Sequence, residues 1–162
     1  MIRLSKQTDY GILLLTRFVE TGEAHTLTAR SLAEGTGIPL PTVSKVLKLL
    51  AREELLASHR GAHGGYSLAK QPADISVVDI IHALEGGVGL TECVMSPGEC
   101  DHELTCRVSA NWRLINDAVV DALRRISLLD MAVPLPHELM PLTLGAFTAP
   151  SSTLPTRSKN GF

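Results

Sequence analysis

The sequence predicts a mainly α fold in which a helix-turn-helix domain carries a small β-hairpin wing and is followed by a long C-terminal dimerisation helix. Three observations carry this expectation. Ala33, Gly37 and Val43 stand at the spacing at which two short helices approach, turn and lock together. Two short apolar-polar runs, Leu55 to His59 and Tyr66 to Leu68, surround Gly61, Gly64 and Gly65, the pattern of a hairpin. Val108, Trp112, Ile115, Val119, Ala122, Ile126 and Leu129 recur at alternating spacings of four and three, the seam of a coiled coil.

In chain order, Ser5 caps a first helix with Tyr10, Leu13, Leu14 and Phe18 on its core face, and Gly22 suits its end. Thr28 caps a shorter helix, Ala29 to Thr36, with Leu32 and Ala33 turned inward. A third helix opens near Pro41 and runs to about Glu54, with Val43, Val46, Leu47 and Leu50 on one face. Leu40 offers this helix no capping oxygen. After the hairpin, Ser76 caps a helix containing Val77, Ile80, Ile81 and Leu84 that stops at Gly86 and Gly87. The stretch from Leu90 to Val108 has no periodicity and holds every cysteine of the chain. The last helix is expected to carry i,i+4 ion pairs from Arg113 to Asp117 and from Asp121 to Arg125. This divides the chain into a helix-turn-helix domain (1–87), a cysteine loop (88–108), a dimerisation helix (109–130) and a proline-, serine- and threonine-rich tail (131–162) expected to be disordered.

The net charge of -2 excludes a histone-like, polybasic mode of binding, but its distribution is uneven. Residues 30–70 hold six lysines and arginines against three acids, whereas residues 71–110 hold seven acids against Arg107 alone. A modestly basic module thus precedes an acidic one. The apolar run from Gly11 to Leu15 is cut off by Thr16 and Arg17, far short of the ~18 residues a membrane span needs. It is also too short for a secretory leader, so the chain reads as cytoplasmic, with no membrane partner.

Polar and cationic residues off the apolar face of the third helix are what phosphates and base edges require. The candidate DNA-contacting set is Arg30, Pro41, Thr42, Ser44, Lys45 and Lys48 around the two short helices, with Arg60, His63, Gly64 and Tyr66 in the wing. The alternative is a winged module used for protein contacts, or a cluster- or zinc-binding protein without specific DNA binding, because similar folds also bind proteins. Nothing marks an enzyme or a small-molecule substrate: no nucleophile and base stand at arguable spacing, and the wing glycines lack the following Lys-Ser/Thr of a nucleotide cradle.

Cys93, Cys100 and Cys106 are separated by six and five residues. Thiolates in one flexible loop suit a soft metal or an iron-sulfur cluster. Structural zinc favours C-x2-C knuckles and four ligands, although His102 could contribute. Cluster, zinc and plain redox thiols all remain open on spacing alone, and three thiolates leave a cluster one ligand short.

Taken in order, Lys6-Gln7-Thr8-Asp9-Tyr10, Pro41-Thr42-Val43-Ser44-Lys45, His59-Arg60-Gly61-Ala62-His63-Gly64-Gly65-Tyr66, Leu84-Glu85-Gly86, Leu90-Thr91-Glu92-Cys93 and Asn111-Trp112 resemble the Rrf2 family of winged-helix regulators, which includes IscR and NsrR. Over about residues 1–131 the chain is most similar to the regulators of SUF-type iron-sulfur cluster assembly. The resemblance implies a homodimer joined by the long helix, binding to promoter operator DNA through the helix after Gly37 and the wing, and a cluster on Cys93, Cys100 and Cys106. It further implies a repressor of cluster-assembly genes. The histidine ligand of IscR corresponds to Ser109 here, whereas the aspartate ligand of NsrR, supplied by the other subunit, corresponds to Asp9. One extra residue between Cys93 and Cys100 leaves the choice between 2Fe-2S, the form expected first, and 4Fe-4S open.

Overall fold

A computed structural model of the chain describes residues 4–22, 25–61, 64–96, 98–101 and 105–133. The expected disordered tail therefore lies, from residue 134 onward, outside the described residues. The element order is α1 (Lys6–Thr21), α2 (Ala29–Thr36), α3 (Leu40–Arg52), β1 (Leu56–His59), β2 (Gly65–Leu68), a 3-10 turn (Pro72–Asp74), α4 (Val77–Glu85), α5 (Glu92–Met95), α6 (Ser109–Arg124) and α7 (Leu128–Ala132). This is the expected winged helix-turn-helix arrangement.

The helix starts follow from side-chain oxygens that satisfy first-turn amides. Ser5 caps α1, and reciprocal capping boxes open α2 (Thr28 with Ser31) and α4 (Ser76 with Asp79). α3 has no side-chain cap; the carbonyl of Pro39 instead accepts the amides of Thr42 at 2.9 Å and Val43 at 3.1 Å. Between α2 and α3, Gly37 takes φ +72° and its N–H returns to Ala33 at 2.9 Å, the left-handed turn anticipated from its position.

Leu14, Leu15, Phe18, Val43, Val46, Leu47 and Leu50 are buried at the centre of the core. Leu13 was expected there too, but it is 43% exposed, and Leu15 takes its place. The cause is α4. A Cβ on Gly11 would lie 2.3 Å from the Leu84 side chain, so α4 packs directly over Gly11 and selects the stripe Gly11, Leu14, Leu15, Phe18. Strands β1 and β2 pair antiparallel with Leu56 opposite Leu68 and Ser58 opposite Tyr66. Leu27 exchanges two backbone bonds with Tyr66, at 2.9 and 2.8 Å, and ties the wing to the start of α2.

The long C-terminal helix ends sooner than its heptads imply. α6 stops at Arg124, and the chain turns through Arg125 and Ile126 into α7, which Ser127 and Asp130 open with their own capping box. Leu128, one position off the seam, is fully buried among core residues of the reading domain. Its amide bonds the carbonyl of Ile75 at 2.7 Å, and the Val77 amide bonds the carbonyl of Ile126 at 2.9 Å. The single helix expected over 109–130 is thus two, because the capping box and the burial of Leu128 outweigh one more turn of seam. α7 adds Leu128 to the same core. Asp121 pairs with Arg124 at 2.6 Å rather than with Arg125.

Glu85, the last residue of α4, accepts the Ser5 amide at 2.9 Å and the Thr8 hydroxyl, joining the end of α4 to the start of α1. The Thr8 hydroxyl bond, reinforced by Ser5 and opposed by slight desolvation, holds its carboxyl below the ordinary value of 4.5. A depressed folded value means that this contribution to stability is present above the unfolded value and is lost as the pH falls through the folded one. Glu85→Gln therefore weakens the chain at neutral pH and flattens its stability profile on the acid side of 4.5, as urea titrations at pH 7 and pH 3 will measure. An unchanged acid slope would leave Glu85 without that role.

Candidate nucleic-acid interface and cysteine segment

On α3 the apolar face is spent on the core, so the opposite face is what the module offers outward. Pro41, Lys45 and Lys48 are exposed, with Thr42 and Ser44 half-buried beside them. Positions 41, 45 and 48 fall on one helical line that continues to Arg52. Among the described residues no carboxylate pairs with Lys45 or Lys48, whereas Arg52 contacts Glu53 at 3.0 Å. Arg52, not among the sequence candidates, lies one further turn along the spacing that Pro41, Lys45 and Lys48 share, which is the signal that could have found it. Arg30 is exposed in the first turn of α2.

In the wing, Arg60 is exposed directly after β1, and His59 bonds Ser67 across the hairpin at 2.8 Å. Gly64 is required by the turn itself: a Cβ there would lie 2.6 Å from the carbonyl of His59 and 2.9 Å from that of Gly61. Tyr66 is half-buried, packs against the core, and has both backbone groups bound to Leu27. Among the described residues of the expected wing set, Arg60 is an exposed cation, while Gly64 and Tyr66 hold the hairpin in shape. His63 lies outside the described residues.

The cysteine segment joins α4 to α6. Contrary to the expectation of an irregular loop throughout, it contains the single turn α5, opened by the Thr91 carbonyl, which accepts the amides of Val94 and Met95. Cys93 is buried on this turn, with its thiol 3.2 Å from the Thr91 hydroxyl. Cys100 and Cys106 are half-buried, and all three thiols are free. Among the described residues, no three cysteine, histidine or acidic side chains are grouped as a metal site. The donor chemistry fits a thiophilic centre, since three thiols share one short segment, but that centre requires them to converge. His102 lies outside the described residues. Ser109 turns back to bond the Cys106 carbonyl through its hydroxyl at 3.1 Å, and so acts as part of the α6 start. Asp9 is exposed in the first turn of α1.

Between α4 and α6 lies an apolar groove of about 690 Å³ lined by Ile81, Leu90, Trp112, Ile115, Val119 and Leu123. Trp112 and Ile115 remain 40% and 46% exposed, so the described residues leave this part of the seam uncovered. No helix among the described residues is long and apolar enough to cross a membrane.

A family model described as Rrf2, iron-dependent transcriptional regulator, matches residues 4–134. Protein rrf2 of Nitratidesulfovibrio vulgaris is 27% identical over 130 residues, which are 80% of this chain and 87% of that protein. The HTH-type transcriptional regulator IscR of Escherichia coli is 28% identical over 127 residues, 78% of each chain. Among solved structures, CymR (YrzC), the global cysteine regulator of B. subtilis, superposes with a TM-score of 0.63 at 27% identity, covering 82% of this chain and 97% of that one. IscR of T. potens superposes with a TM-score of 0.59 at 28% identity, covering 80% and 85%.

Proposed function

The chain belongs to the Rrf2 family of transcriptional regulators, and from that premise we propose that it is a homodimeric, cytoplasmic repressor of iron-sulfur assembly genes whose operator affinity follows the state of its cysteine segment. It is a DNA-binding regulator and not an enzyme. The observation that carries the DNA reading is α3: Val43, Val46, Leu47 and Leu50 are buried, and Lys45 and Lys48, which no carboxylate pairs among the described residues, stand exposed on the line that faces away from the core. α3 enters the major groove, with Thr42 and Ser44 turned to base edges and the lysines to phosphates, while Arg60 reaches the minor groove. Arg30 and Pro41 flank the same surface.

The exposed Trp112 and Ile115 support pairing of α6 with a second copy, which places two reading heads about one helical turn of DNA apart. Cys93, Cys100 and Cys106 are the residues that hold the cluster, with Asp9 from the second copy as the fourth ligand. When bound, the cluster supplies an iron centre sensitive to oxidants and to iron supply. The residues themselves transmit its presence. Glu85 ties the start of the segment to α1, and α6 carries its end, so reordering between them shifts one head against the other.

A second reading, control through the thiols without a cluster, is favoured by the ungrouped donors among the described residues. Iron and sulfide analysis separates the two.

Lys48→Ala will weaken binding to specific and non-specific fragments alike, and will lower the slope of log affinity against log salt by about one per phosphate contact removed. Titrations of promoter fragments between low and moderate salt measure this. Binding unchanged at every salt concentration would sink the assignment of α3.

A further inference from the structure

The buried polar residues among those described are Thr8, Thr16 and Asn116. Thr16 donates within its own helix to Leu13, and Thr8 to Glu85. Asn116 differs from both. It is 5% exposed in the middle of α6, where asparagine is a poor helix former, and it reaches across 26 positions to accept the Leu90 amide at 3.2 Å. An unbonded amide at such a site would be costly on both sides, so the bond accounts for the residue.

Leu90 immediately precedes Thr91, whose carbonyl opens α5 and whose hydroxyl meets the thiol of Cys93. A short covalent path therefore leads from the Asn116 bond to Cys93. Gly89 adds to the closeness: a Cβ there would lie 2.0 Å from the Met95 side chain, so α5 folds back onto the residue before Leu90. At the other end of the segment, Ser109 binds the carbonyl of Cys106. Both fastenings belong to α6. That helix leads on to α7, whose Leu128 is sealed in the core of the reading domain.

We propose that Asn116 is a positioning residue that fixes Leu90, and through it the Cys93-bearing turn, on α6, so that rearrangement of the cysteine segment moves α6 rather than dissipating in a loop. Its regulatory meaning rests on the sensor reading above; the fastening itself does not.

The test uses the full-length chain, reduced and stripped of metal. In the wild type, the Leu90 amide exchanges slowly by NMR, and Cys93 is alkylated by iodoacetamide more slowly than Cys100 or Cys106. Asn116→Leu speeds Leu90 exchange and Cys93 alkylation roughly five-fold, the share of one hydrogen bond, and leaves Cys106 and the amides of α3 as they were. Asn116→Asp keeps the accepting oxygen and restores the wild-type rates. A Leu90 amide that exchanges freely in the wild type overturns the proposal without any variant. So does a uniform rise across all amides and thiols in Asn116→Leu, or an Asn116→Asp chain as fast as Asn116→Leu.

A parallel arm supplies the same chains with ferrous iron and sulfide under nitrogen, and Asn116→Leu is expected to show an altered visible spectrum. A wild type that takes up neither iron nor sulfide refutes the sensor reading, while the exchange rates still decide the fastening.

Discussion

Replacing Leu128 with alanine lowers the unfolding free energy by about 2–5 kcal/mol, the cost of truncating a fully buried leucine in a core that relaxes only in part. Leu128 is 0% exposed, and it is the single α7 residue in the central cluster, where it lies with Leu14, Leu15 and Ile80. Its backbone is engaged as well, through the bond to Ile75 and the bridge between Ser76 and Ser127. The substitution therefore removes the wedge that holds the end of α6 to the reading domain. Urea unfolding followed by circular dichroism measures the loss, and limited proteolysis will find the chain newly cleaved around Arg124 and Arg125. A loss below about 0.5 kcal/mol, the range of ordinary surface positions, would return Leu128 to the surface and restore one continuous helix.

The second large effect is chemical. On the proposed cluster reading, the wild-type chain prepared without oxygen is expected to be coloured and to contain iron and acid-labile sulfide, and Cys93→Ala, Cys100→Ala and Cys106→Ala are each expected to abolish both. A cluster held by these three thiolates would be left with two on the loss of one, in a chain with no fourth cysteine. The same variants lose the difference in operator affinity between loaded and stripped protein. Ser109→Ala keeps its iron, because that hydroxyl is spent on the Cys106 carbonyl. Stoichiometric zinc without sulfide would favour a structural metal, and colourless protein whose operator binding ignores every thiol deletion would end the cluster reading.

Much of the reading domain was legible from residue order. Ser5, Thr28 and Ser76 mark helix starts because a hydroxyl satisfies amides only a few residues away, and Gly37 marks the turn because its conformation is a property of one residue. The inner face of α3 was legible for the same reason, since 3.6-residue periodicity is local geometry. Leu13 was misplaced because Leu13, Leu14 and Leu15 are adjacent and equally apolar. Which of them faces inward depends on α4 closing over Gly11, a partner 73 positions away at Leu84.

The candidate site divides along the same line. The exposure of Lys45, Lys48 and Arg60 was legible because cations off the apolar face of a helix-turn-helix and in its wing are a compositional signal. That Tyr66 and Gly64 also shape the hairpin is disclosed only by the pairing with Leu27 and the crowding by His59. The distant bonds of Asn116 and Glu85 were not legible, because a lone polar residue in a helix reads as solvated surface until its partner is known.

The amino-acid order alone determined the family, the helix-turn-helix, the wing and the three thiols, all features written in short spacings that the backbone cannot avoid expressing. Only the folded chain decided that the heptad run breaks before Ser127, that Leu128 joins the same core, and that the cysteine segment is fastened to α6. Each of these turns on a balance between a local preference and the burial of groups far apart in the chain, and that balance is struck only when the elements pack.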